Sequence, residues 1–114
     1  MNKYAQVALI AAERIKNGML PRAAWEQASC EIFPKGSTSQ VKGCPKNAFL
    51  GLYDPTANTK NASYAREALA WLRVHPGCKV TPSALWKIVQ KGENKSYNSQ
   101  MHIVIALYQN GYIH

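Results

Sequence analysis

The sequence predicts an all-α fold: a compact bundle of about six helices in a single domain spanning residues 1–114. Three observations predict it. Apolar residues return at helical spacing in stretch after stretch. Helix-stopping and helix-starting residues punctuate the chain between those stretches. No segment shows the strict alternation of a half-buried strand, and no repeat or low-complexity tail interrupts the pattern.

The first helix is expected over residues 3–17, with Tyr4, Val7, Ala8, Ala11 and Ile15 on one stripe. Asn17-Gly18 stops it, because glycine takes the left-handed conformation that ends helices. Pro21 suits the first turn of a second helix, where its missing N–H is no loss, and Ala24, Trp25, Ala28 and Ile32 form that helix's inner face. The short link makes the two a helical hairpin. Residues 34–43 read as a loop by composition. A third helix runs from near Pro45 to Tyr53, burying Ala48, Phe49 and Leu52, and Asp54-Pro55 ends it. The fourth, from about Asn61 to Val74, carries Ala65, Ala68, Leu69 and Leu72 inward, with Tyr64 and Trp71 beside them. His75-Pro76-Gly77 stops it. Thr81-Pro82 starts the fifth with a hydroxyl cap, and Leu85, Trp86, Ile88 and Val89 are its apolar residues up to Lys91. The sixth spans about Ser99 to Asn110. It is apolar almost all round from Met101 to Tyr108, which suits either the centre of the bundle or the seam of a homodimer.

A chain of 114 residues buries roughly two thirds of its unfolded surface, so it needs neither disulfide nor metal to fold. Cys30, Cys44 and Cys78 are odd in number and scattered, which fits a reducing cytoplasm better than a disulfide framework. Glu13 and Arg14 cut short the apolar run after Lys3, so neither a secretory signal nor a membrane-spanning segment is expected. Fourteen Lys and Arg against six Asp and Glu give a formal charge of +8. Such an excess attracts polyanions, so nucleic acid or an acidic partner protein is the leading class of partner; the alternative is a charge that only keeps a small protein soluble.

The segment Lys42–Leu52 carries the most unusual chemistry. Cys44 stands near the start of a helix between Lys42 and Lys46, where free N–H groups and the helix dipole favour negative charge and a more nucleophilic thiol. Lys35, Ser37, Ser39, Lys42, Gly43, Cys44 and Lys46 are therefore the candidate anion- or ligand-binding residues, in a stretch without acids between Ile32 and Tyr53. Gly36 to Gly43 lacks the Gly-Lys-Ser/Thr ending of a phosphate loop. Against this stands the simpler reading of Cys44 as a small buried plug behind a tight turn. The last two helices have the order of a helix-turn-helix, but their connection is long and the second has no Lys or Arg. Nucleic-acid contacts would then come from Lys79, Lys87, Lys91 and Lys95 to phosphates, without base preference. Cys30, Cys44, His75 and Cys78 lack the paired spacing of a zinc site, and no metal or cofactor is expected. No triad or carboxylate pair is positioned by spacing, so hydrolytic chemistry has no support.

The stretch Gly43-Cys44-Pro45-Lys46-Asn47-Ala48-Phe49-Leu50-Gly51-Leu52 resembles a segment of a family of small bacterial proteins with no assigned function. Ala24-Trp25-Glu26 and the late Ile105–Ile113 segment are similar to that family too, and the link after Leu52 is shorter here. The resemblance implies an all-helical fold, implies no activity, and suggests a mobile gene-cassette origin that no residue carries.

Overall fold

The computed structural model describes residues 1–114. Six helices of nine residues or more lie where spacing places them, and no strand is present. They are α1 (Lys3–Lys16), α2 (Pro21–Ile32), α4 (Gly43–Tyr53), α5 (Lys60–Val74), α6 (Pro82–Gln90) and α7 (Gln100–Gln109). The stretch read as a loop holds one further turn of helix, α3 (Thr38–Val41). Its apolar stripe is absent because a single turn has none to show. A local cap forms it: Ser37 Oγ accepts the N–H of Gln40 at 3.2 Å.

Capping explains most boundaries. Asn2 Oδ1 accepts from Ala5 N at 3.0 Å, Thr59 from Ala62 N at 3.1 Å and Thr81 from Ala84 N at 3.1 Å. α1 and α7 end alike. Met19 N donates to Arg14 O and Gly18 N to Ile15 O, while Tyr112 N donates to Leu107 O and Gly111 N to Tyr108 O. Both form the paired closing bonds of a Schellman ending, and both need positive φ at the glycine, +103° at Gly18 and +77° at Gly111.

Twenty-three buried residues form one continuous core. α7 runs through it, packed on α1, α4, α5 and α6. Met101, Ile103, Val104 and Leu107 are fully buried. Its apolar girth is thus used inside the bundle, and only Ile105, Ala106 and Tyr108 remain partly exposed for any copy of the chain. The same burial bars α7 from lying in a nucleic-acid groove. One inward expectation fails locally. Ile88 is 41% exposed, because α6 has nine residues and only Leu85, Trp86 and Val89 face inward. Trp71 is half-exposed and stacks on His75 with ring centroids 4.0 Å apart. α1 and α7 run in the same direction: Asn2 bonds Ser99 at their starts, and Glu13 accepts from Tyr112 at their ends. That parallel arrangement gathers helix starts at one end of the molecule.

Candidate anion-binding cleft

A cleft of about 340 Å³ opens at that end. Five parts of the chain line it. α4 contributes Cys44 from its first turn, and α5 contributes Lys60, Asn61 and Tyr64. α6 presents Trp86, and the connection between α6 and α7 brings Lys95, Ser96 and Asn98. Gln100 of α7 closes the floor. The starts of three helices therefore share one cavity. Each helix start carries partial positive charge from N–H groups with no intrahelical acceptor. α5 is capped by Thr59, but Lys42 gives α4 no side-chain cap, and the N–H groups of Gly43 and Cys44 find no protein acceptor.

The floor is rigid. Gln100 is 1% exposed and donates through Nε2 to Asn61 Oδ1 at 2.9 Å, while its Oε1 accepts from Asn98 N at 2.6 Å. A buried amide with both ends engaged fixes the relative placement of α5 and α7. Trp86 is wedged between Tyr64 and Tyr97, with centroids 5.1 Å and 5.5 Å away, and its indole N–H donates to Lys95 O at 3.3 Å. Glu93 sits at the rim. Its carboxylate accepts from Lys60 Nζ at 3.0 Å and from the Tyr64 hydroxyl at 3.2 Å. The bonds from Lys60 and Tyr64 hold the Glu93 carboxyl below the usual carboxylate range. Burial pushes the Tyr64 hydroxyl up, and its bond to Glu93 adds to that. Glu93 raises Lys60 in return.

The connection is also tied down through Tyr97, whose hydroxyl bonds His102 Nδ1 and accepts from His102 N. Burial pushes the Tyr97 hydroxyl up to about 12 and pushes the His102 imidazole down from 6.5. The unfolded chain therefore binds a proton at this histidine before the folded chain does. The His102 contribution to stability is expected to fall as pH drops from about 6.5 through the lower folded value of His102. Urea midpoints between neutral pH and that window test this, with His102→Gln expected to flatten the slope.

The residues singled out from sequence are distributed unevenly. Cys44 is half-buried at the cleft wall, so it is a cleft residue instead of a closed plug. Lys42 and Gly43 precede it directly, both exposed. Ser37 caps α3, the Ser39 carbonyl accepts from Tyr4, and Lys46 pairs with Glu26 at 3.4 Å, while Lys35 is exposed on the turn before α3. The basic loop is thereby occupied with local structure. Of the four lysines assigned to nucleic acid, Lys95 lines the cleft and Lys91 pairs with Glu67 at 3.6 Å. Lys87 is exposed on α6. Lys79 lines a second cleft with His75, Cys78 and Gln109, at the far end of α7, about 15 Å away. The four do not form one row. The cysteines are likewise split, with Cys44 in one cleft and Cys78 in the other. Lys60, Tyr64, Gln100 and Glu93 escaped the sequence reading. A lone buried amide opening an apolar helix was the one local signal available, at Gln100.

These features define an all-helical protein with a positively polarised cleft built from helix starts. The chain belongs to a family of unknown function, DUF6979, whose family model matches residues 1–114. No curated protein and no solved structure shows significant similarity to it.

Proposed function

We propose that the protein is a binding module for a small anion, a phosphate or carboxylate headgroup, held in the cleft between Cys44, Lys60 and Lys95. One observation carries the reading: the uncapped first turn of α4 opens through Cys44 on a cavity whose walls also bear two lysines. Its volume lies within the range of small-ligand pockets and suits a headgroup with a modest apolar or aromatic body against Trp86. The Cys44 thiol would stand beside such a ligand, which makes ligand protection of the thiol a natural readout. Three unpaired cysteines agree with the cytoplasm as the working compartment. No helix is long and apolar enough to cross a membrane.

A second reading keeps the broader surface. Glu26, Glu31, Glu67 and Glu93 each pair with a cation, while Lys35, Lys42, Lys79, Lys87 and Lys95 have no carboxylate partner. That surplus supports nucleic acid or an acidic protein as partner, but its lysines are spread over both ends of the molecule.

The test is a titration with inorganic phosphate and, separately, with a nucleoside monophosphate. Inorganic phosphate is expected to bind with a dissociation constant of about 1 mM, as fits a small ion. Lys60→Gln and Lys95→Gln are each expected to weaken it about tenfold, the loss of one charge-assisted bond. Salt-sensitive binding of single-stranded nucleic acid, with neither small anion bound, would transfer the function to the lysine surface.

A further inference from the structure

Glu93 occupies the groups an incoming anion needs. Its carboxylate takes Lys60 Nζ at 3.0 Å and the Tyr64 hydroxyl at 3.2 Å, and both partners line the cleft. It is the one acidic side chain bonded to a residue of the cavity wall. We infer that Glu93 is a resident pseudo-ligand, an autoinhibitory carboxylate that an anionic headgroup displaces from Lys60 and Tyr64. This rests on the anion-binding reading of the cleft and names the regulation of that site.

Three features support a carboxylate built to leave. First, the ion pair is not buried: the side chains of Lys60 and Glu93 are 67% and 43% exposed, so water can take over each charge when the pair separates. Second, Glu93 lies on the connection between α6 and α7, which has neither helix nor strand from Gly92 to Asn98. Third, that connection is held under backbone strain. Lys91, Asn94 and Ser99 have φ of +52°, +57° and +67°, a region costly for residues other than glycine, and least so for asparagine. Lys91 and Asn94 lie on either side of Glu93, so the strain sits next to the carboxylate that has to move. The ligand class follows from the same geometry. Glu93 Oε2 alone takes both bonds, so a headgroup that replaces it on the ammonium and the hydroxyl is itself an oxyanion that presents one acceptor oxygen to both.

The arithmetic is that of a competing state. The apparent affinity for an external anion is reduced by the fraction of molecules in which Glu93 holds the site. The pair and its hydroxyl bond are modest, so the reduction is expected to be about fivefold.

The experiment compares the full chain with Glu93→Gln and Glu93→Ala, each titrated with inorganic phosphate while the backbone amides of Cys44, Asn61 and residues 92–98 are followed by NMR. The inference predicts binding by all three proteins, tighter in both variants by about fivefold. It also predicts that phosphate shifts the amides next to Glu93 in the unaltered chain more than in the variants, where no carboxylate is displaced. Equal affinity in all three would overturn the pseudo-ligand and leave the cleft intact. Weaker binding in both variants would overturn it too, by making Glu93 a positioning residue. Binding by none of them would overturn the cleft reading itself, and the pseudo-ligand with it.

Discussion

Phe49→Ala is expected to lower the free energy of unfolding by about 3–5 kcal/mol. Phe49 is fully buried on α4, and its ring sits 4.9 Å from those of both Trp25 and Tyr53. It therefore joins α2 to α4 and stacks along α4 itself. Truncation removes the transfer free energy of the ring and leaves a cavity that three helices cannot collapse, because α4 is also held by α5 and α7. A domain of this size has about 5–15 kcal/mol in total, so the change takes about a fifth of it or more. Urea unfolding checks this through the midpoint at unchanged slope. A loss below about 1 kcal/mol would mean that the α2–α4 contact is looser than the ring distances show.

Gly51→Ala is expected to cost about 2 kcal/mol, although alanine is the better helix former by about 1 kcal/mol. A Cβ at Gly51 would stand 2.5 Å from Ala62 Cα and 2.6 Å from Ala62 O. Those are backbone atoms of α5, so no rotamer change relieves the clash. Either the helices separate or α4 shifts along α5. Both movements strain Arg66, which donates to Gly51 O and to Asp54 O at 2.9 Å each. Gly51→Val adds bulk to the same contact and is expected to cost more. Gly43→Ala, in the same helix, is the control: its nearest new contact is Asn47 Nδ2 at 3.7 Å, an ordinary distance, and no loss of packing is expected. Thermal unfolding of the three variants side by side checks the ordering.

These two positions show why the segment Gly43–Leu52 looked unusual as sequence. Pro45, Ala48, Phe49 and Leu50 are buried, Gly51 meets the backbone of α5, and Cys44 faces the cleft. Most of the segment is a packing surface, and only its first turn carries a site.

The helices were legible because their signals are local. Pro21 and Thr81-Pro82 mark starts, Gly18 and Gly111 mark ends, and every residue of the α5 stripe is buried, as are Val7, Ala8 and Ala11 of the α1 stripe. The single turn of α3 was not legible, since one serine cap creates it. Ile88 misled, since an apolar residue on a short helix need not face the core. Cys44 and Lys95 were each noticed, but as parts of two different sites about fifty positions apart in the chain. Nothing local to either says that they share a cavity. Their meeting depends on tertiary contacts such as Gln100 bonding Asn61, residues 39 positions apart. Tertiary placement of that kind leaves no periodic trace.

The most direct test of the central claim is an NMR titration of the unaltered protein with inorganic phosphate at constant ionic strength, reading the amides of Cys44, Lys60 and Gln100. Saturable shifts are expected at all three with one common dissociation constant, and none at Lys79 beside the far cleft. Absence of saturable shifts, or shifts of equal size at Lys79, would contradict a built anion site at the starts of α4, α5 and α7.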